Sequence, residues 1–211
     1  MRFTLVYLAL CATVLAGVAP ASADEAAKGP LHFVMKDIDG EDVDLAKQYA
    51  GKVCLIVNVA SKCSLTAQYE QLTALHTEYQ DQGLAILAFP ANDFEQEEPG
   101  TDAEIKAFCT SKFGVKFDLF SKISVLGDEK SPLYAFLTSK EKNGAFGGEI
   151  EWNFAKFLIG RDGRVVARFK PDVKPDAAEV VNAIEAELAK KEEEEDWTDL
   201  EIGTISGQAN L

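Results

Sequence analysis

The chain of 211 residues sets 21 lysines and arginines against 35 aspartates and glutamates, for a net charge of −14, with 47% hydrophobic and 27% charged residues. That length holds one domain with a sizeable core or two small ones, and the composition is that of an ordinary soluble protein. The negative charge argues against nucleic acid or anionic lipid as a partner, because both would repel it.

The chain opens with "MRFTLVYLALCATVLAGVAPASADE", which has a basic start at Arg2, an apolar stretch, then Ala-Ser-Ala before Asp24. This predicts a secretory signal peptide over residues 1–23, cleaved after Ala23, and an exported (periplasmic or secreted) mature chain with no integral membrane segment. A membrane anchor fits less well, since the stretch is short and broken by Pro20. A lipid-modified Cys11 fits poorly too, because Leu10 stands where a small residue is needed. Export leaves Cys54, Cys63 and Cys109, an odd number that permits one disulfide within the chain and leaves one thiol free. In an oxidising compartment this suits a redox-active pair plus a buried thiol.

Further along, "HFVMKDIDGEDVDL" alternates around Asp39-Gly40 and predicts an N-terminal β-hairpin. "VCLIVNVA" (53–60) is a nearly continuous apolar run, as a strand covered on both faces should be. A helix follows, with Tyr69, Leu72, His76 and Tyr79 at helical spacing. "LAILAFP" (84–90) is a second buried strand. "TDAEIKAFC" pairs Thr101 with Glu104 three residues on, a capping-box signature that places Cys109 on a helix. "FLIGRDGRVVARF" reads as two strands joined at Asp162-Gly163, and a last helix starts near Asp176, with Glu179 in its first turn and Val180, Ile184 and Leu188 facing inward. The fold class is α/β, a mixed central sheet flanked by helices, over residues 24–191. Residues 192–211 begin with an acidic run and read as a solvated, disordered tail, more a solubilising segment than a dock for a basic partner.

Cys63 sits at the seam between a buried strand and a helix. There its sulfur would face the first backbone N–H groups of the helix, which favour the thiolate, and the Lys62 ammonium could add to them. A thiolate attacks one oxygen of a peroxide and becomes a sulfenic acid. Thr66 occupies the place of the second cysteine of a C-x-x-C, so no neighbouring thiol traps that sulfur, which disfavours a dithiol isomerase. On position alone Cys63 reads equally as a nucleophile or as a small apolar filler at a strand end.

The segment "NVASKCSLTAQYEQL" is similar to the active-site segment of glutathione peroxidases, in which the cysteine or selenocysteine is the peroxidatic residue. "LAILAFPAND", "EEPGTDAEIKAFC", "VKFDLFSKISVLGD", "SPLYAFL" and "EIEWNFAKFLIGRDGRVVARF" extend the resemblance in order over about residues 31 to 190. It implies a thioredoxin-like fold and a thiol peroxidase that reduces hydrogen peroxide and organic hydroperoxides in the response to oxidative stress, with no cofactor or metal. In that family a Gln, a Trp and an Asn surround the reacting cysteine. Trp152 and Asn153 fall on the Trp-Asn pair; an indole N–H and a carboxamide can stabilise a thiolate and a leaving oxygen. Counting along Asn92-Asp93-Phe94-Glu95 against the family's Asn-Gln-Phe-Gly puts Asp93 at the Gln position, where an ionised carboxylate would oppose the thiolate. Asp93 pointing away, Asp93 held protonated and a slower enzyme are the three outcomes left open, and Asn92 could supply a substitute donor.

The same resemblance implies that Cys109, 46 residues beyond Cys63, is the resolving cysteine of thioredoxin-dependent members. Read without the family, Cys109 could equally be buried filler, and a helical position requires the helix to loosen before the two Cα atoms come within about 7 Å. Cys54, inside a buried strand, reads as inert. The reductant is a thioredoxin-like protein or glutathione. His32 and His76 lack metal-ligand spacing. "NGAFGGE" (143–149) reads as a flexible surface loop whose shortness suggests a monomer with an open site. The alternative is a thioredoxin-fold peroxide sensor that oxidises once without fast turnover.

Overall fold

The computed structural model describes residues 29–190; the predicted signal peptide and acidic tail lie outside the described residues. The hairpin forms as expected. Strand β1 (Val34–Lys36) pairs antiparallel with β2 (Asp42–Asp44), and the turn between them passes through Gly40 at φ +88°. The short helix α1 (Leu45–Tyr49) follows directly, its N-terminus capped by the Asp44 carboxylate, which accepts from the Lys47 N–H.

The two apolar runs form the centre of a five-stranded sheet. β3 (Val53–Val59) and β4 (Leu84–Pro90) lie parallel and are buried at every residue. Helix α2 (Gln68–Tyr79) connects them. After β4 come α3 (Asp102–Phe113) and the two-residue edge strand β5 (Asp118–Leu119), parallel to β4. Two short helices, α4 (Pro132–Thr138) and α5 (Lys140–Asn143), precede β6 (Lys156–Ile159) and β7 (Val165–Phe169), an antiparallel pair. β6 also pairs antiparallel with β3, giving the order β5–β4–β3–β6–β7. Helix α6 (Ala178–Leu188) closes the domain.

Strand alternation divides the core in two. Leu55, Val57 and Val59 point to a face covered by α2, α3 and α6, where they meet Tyr69, Leu72, Ile105, Val180 and Ile184. Cys54 and Ile56 point to the opposite face, against Leu45 and Tyr49 of α1 and Leu133, Tyr134 and Leu137 of α4. Cys63 and Cys109 both belong to the first face and Cys54 to the second, so the central sheet itself separates Cys54 from the other two thiols.

Some local expectations are corrected. The last helix starts at Ala178 rather than near Asp176; Ala177 is extended at its N-cap and no side chain caps the helix, which leaves Asp176 one residue too early. α1, α4, α5 and β5 are too short to show a period in the sequence. The 143–149 segment is not a free loop. The Arg168 guanidinium donates to the carbonyls of Phe146 (3.2 Å), Gly148 (2.8 Å) and Glu149 (2.6 Å). A Cβ at Gly147 would lie 2.6 Å from the Lys140 backbone, so only glycine fits that approach.

A buried lysine fastens the end of the sheet. Lys156 is fully buried, and its Nζ donates to the carbonyls of Phe154 (2.7 Å), Val173 (2.6 Å), Pro171 (3.3 Å) and Lys170 (3.5 Å). It thereby ties the chain after β7 to the chain entering β6. Burial lowers its pKa from the ordinary 10.5 to about 7, against the pull of the Asp172 carboxylate. Between those values the unfolded chain holds the extra proton, so the burial cost is complete below pH 7 and is relieved as pH rises above it. Lys156→Met should lower the unfolding free energy by about 2–4 kcal/mol by stranding these carbonyls. The difference between wild type and variant, measured by denaturant unfolding, should widen from pH 7 to pH 9.

Candidate active site

Sheet register brings three segments to one edge. β3 and β4 are parallel with Val59 opposite Pro90, so the chain leaves both strands side by side. β6 runs the other way with Lys156 opposite Val57, so the residues entering β6 arrive at the same edge. The first exit carries Cys63, the second residues 91–98, and the entering segment Trp152 and Asn153.

Cys63 does not sit on the first turn of a helix. α2 starts at Gln68, and Ser61 to Ala67 form turns in which the Thr66 N–H donates to the Cys63 carbonyl at 3.1 Å. The N–H that reaches the sulfur is that of Leu65, at 3.4 Å. Thr66 has a structural task there: its buried hydroxyl donates to the Ala60 carbonyl at 2.9 Å and closes the turn around Cys63. The Lys62 side chain is exposed, and its charge acts on Glu98 and Glu104.

In the second segment the expected assignment changes. Asp93 turns away from the sulfur: its carboxylate accepts from the Ser124 hydroxyl and from the Val125 N–H at 3.0 Å, fastening the loop that follows β5. Asn92 is not among the groups that act on the Cys63 sulfur, and its side-chain oxygen accepts from the Glu98 N–H at 2.8 Å. The acid at the site is Glu97. Glu95 and Gln96 both adopt left-handed backbone, at φ +49° and +56°, and the Glu97 N–H donates to the Phe94 carbonyl at 3.0 Å. Such a conformation costs a residue with a side chain about 1–2 kcal/mol. The turn it makes brings Glu97 back over Cys63. Glu97 also links the two exits, because its carbonyl accepts from the Lys62 N–H at 3.0 Å. Glu98, 1% exposed, is held by the Ser61 hydroxyl at 2.9 Å, and burial raises its pKa.

Trp152 and Asn153 arrive as expected. The Asn58 side chain donates to the Trp152 carbonyl at 3.2 Å, and the Phe154 N–H donates to the Asn58 carbonyl at 2.7 Å. Trp152 packs against Phe94 with ring centroids 5.3 Å apart. Asn153 is fully buried and its carboxamide donates to the Glu97 carboxylate at 2.9 Å. Its donor is therefore engaged with Glu97.

Cys63 is 8% exposed. Burial raises its pKa, and the negative charge of the Glu97 carboxylate beside it adds to the rise. The Leu65 N–H, which donates to the sulfur, and the Trp152 indole beside it act in the opposite direction. The Cys109 thiol on α3 is fully buried, and burial raises its pKa to about 11, with the Tyr69 hydroxyl beside it as the opposing influence. Burial pushes Cys54 to about 12, in keeping with an inert thiol. Cys54, Cys63 and Cys109 are all reduced. A cavity of about 400 Å³ opens between the Cys63 segment and α3, lined by Ser61, Lys62, Glu98, Ile105 and Phe108 among others.

Matching Asn92-Asp93-Phe94-Glu95 to the family's Asn-Gln-Phe-Gly does not single out Glu97, because that motif ends two residues before it. The available signal lay in the topology: loops leaving adjacent parallel strands meet at the carboxyl edge, and the whole of 91–98 was a candidate.

Known proteins resemble this chain in sequence and in fold. Residues 31–138 match the glutathione peroxidase family. The thioredoxin/glutathione peroxidase BtuE of Escherichia coli K12 is 46% identical over 179 residues, 76% of this chain and 97% of the relative. Among solved structures, Trypanosoma cruzi GPX1 superposes with a TM-score of 0.59 at 35% identity, covering 76% of this chain and 97% of its own. A thioredoxin-family thiol:disulfide interchange protein from Chlorobium tepidum superposes at 0.53 with 16% identity over 74% of this chain and 92% of its own, which shows the thioredoxin-like fold. Matched in sequence over nearly the whole of a bacterial peroxidase and in fold over nearly the whole of a second relative, the chain belongs to the glutathione peroxidase family.

Proposed function

We propose that the protein, a thiol peroxidase, reduces hydroperoxides through Cys63 and returns to the reduced state through a disulfide with Cys109. The observation that carries this reading is the Leu65 N–H that donates to the Cys63 sulfur at 3.4 Å, with the neighbouring Trp152 indole acting in the same direction. They favour the thiolate at a site that is almost closed to water. The thiol gives up its proton, the thiolate attacks one peroxide oxygen, the O–O bond breaks, and Cys63 becomes a sulfenic acid while the hydroxide or alkoxide leaves with that proton as water or an alcohol. The Cys109 thiol then gives up its proton, its sulfur attacks the Cys63 sulfur, the S–O bond breaks, and the hydroxide leaves with that proton as water. A dithiol reductant reopens it.

Cys109 is fully buried and its thiol is held protonated, so the second step needs α3 to loosen. The helix is suited to that. Only Ile105 and Cys109 of its residues are buried, and its start depends on the capping box of Thr101 and Glu104. The cavity beside it gives the unwound segment room. BtuE is described as a thioredoxin/glutathione peroxidase; a resolving cysteine favours the thioredoxin-like reductant for this chain, whereas glutathione would attack the sulfenic acid directly. The basic, apolar, Ala-Ser-Ala order of residues 1–23 supports export. The short 143–149 segment, fastened to Arg168, supports a monomer.

Two experiments test the cycle. Cys109→Ser should keep the first oxidation of Cys63 but lower thioredoxin-driven turnover with hydrogen peroxide by about a hundredfold or more, the scale of losing a positioned reaction partner. Full turnover in this variant, with no Cys63–Cys109 disulfide in peroxide-treated wild type, would sink the assignment. Thr101→Ala removes the N-cap of α3, worth about 1 kcal/mol, and should populate the loosened helix about fivefold more. The rate of disulfide formation after a peroxide pulse, followed by mass spectrometry, should rise by about that factor.

A further inference from the structure

Glu97 has a position that calls for a chemical role beyond electrostatics. Its carboxylate is fixed by the Asn153 carboxamide at 2.9 Å, its carbonyl by the Lys62 N–H at 3.0 Å, and its backbone by two consecutive left-handed residues. The bond from the Lys62 N–H places Glu97 beside the residue that precedes Cys63, and its charge bears on the Cys63 thiol. The other charged groups near this edge are committed elsewhere. Glu98 holds Ser61 and is faced by Lys122 and Lys62, and Asp93 holds Ser124 and Val125. Trp152 and Asn153 contribute neutral donors. A fixed negative charge against a nucleophilic thiol would only slow it. A carboxylate can also take the proton, however, which leaves thiolate and carboxylic acid side by side with the same total charge. A carboxamide in that place can donate a hydrogen bond but cannot carry a proton.

We propose that Glu97 is a proton carrier for the oxidation of Cys63, taking the thiol proton and delivering it to the leaving oxygen. The proposal rests on the reading of Cys63 as the peroxidatic residue. In the step itself the proton passes from Cys63 Sγ to the Glu97 carboxylate. The thiolate sulfur forms a bond to the hydroxyl oxygen of ROOH, giving Cys–S–OH, and the O–O electron pair leaves on RO⁻. Glu97 then protonates RO⁻ to ROH and is again a carboxylate. Sulfur loses two electrons and the peroxide gains them. An alkoxide or hydroxide needs that proton as it departs. A carboxylate leaving group does not.

The difference gives the test. The reduced full chain and Glu97→Gln are mixed with ethyl hydroperoxide, which releases ethoxide, or with peroxyacetic acid, which releases acetate. Loss of the Cys63 thiol in a single turnover is followed by rapid quench and mass spectrometry. The ratio of the peroxyacetic acid rate to the ethyl hydroperoxide rate should rise at least about tenfold in Glu97→Gln, as loss of a general acid requires. Alkylation of Cys63 by iodoacetamide at neutral pH should rise severalfold in the same variant, because the opposing charge has gone. An unchanged ratio, with both oxidants faster in step with alkylation, would show Glu97 to be an electrostatic burden alone and overturn the proposal. Unchanged alkylation would overturn it as well, by removing the contact between the two groups. Failure of both oxidants to modify Cys63 in the parent chain would overturn the peroxidatic reading of Cys63 first, and the role of Glu97 with it.

Discussion

The site depends on β3. It is a strand buried on both faces, hydrogen-bonded to a parallel neighbour on one side and an antiparallel neighbour on the other. The parallel partner delivers its exit loop to the edge where β3 ends, and the antiparallel partner delivers its entry loop there. Cys63, Glu97, Trp152 and Asn153 come from three distant parts of the chain and meet because strand polarity leaves them no other edge. Asn58, the one polar side chain within β3, binds the third segment through both its side chain and its backbone. A strand of two-sided burial thus carries its single polar residue where the catalytic segments must be joined.

The thiol at this edge is balanced rather than simply activated. Burial and the Glu97 carboxylate hold the proton on the sulfur, while the Leu65 and Trp152 N–H groups favour its release. In a nearly closed site each of these interactions counts for more than it would in water. Asn153 donates to Glu97, so the carboxamide acts on the thiol through the acid it positions. Cys109 is held back by a different means, full burial on a helix with few core contacts. In the proposed cycle its helix must give way before it reacts, which would order the two half-reactions in time. Cys54 stays out of the chemistry because its side chain points through the other face of the sheet.

Much of this was legible along the chain. The continuous apolar runs at 53–60 and 84–90, the hairpin at Asp39-Gly40, the capping box at Thr101 and the turn at Asp162-Gly163 each act over a few residues, so local composition reports them. The helix-terminus environment expected for Cys63 was not found, since a Thr66-closed turn of several residues separates it from α2. The short helices and the two-residue edge strand were invisible because they are held by tertiary contacts rather than by periodicity.

The amino-acid sequence by itself determined the mixed α/β class, the cysteine at the strand end, the Trp-Asn pair and the second cysteine on a capped helix. Each is a local pattern or a run of residues shared with a family. Tertiary structure alone decided which acid faces the sulfur. Asp93 and Glu97 are four residues apart in one polar loop and nothing in their types separates them. The left-handed turn at Glu95 and Gln96, the Ser124 hydroxyl that claims Asp93 and the Asn153 carboxamide that claims Glu97 make the choice, and those partners lie about thirty and sixty residues away in sequence. Selection among equivalent side chains by distant hydrogen-bond partners is a property of the assembled sheet edge, and no local pattern encodes it.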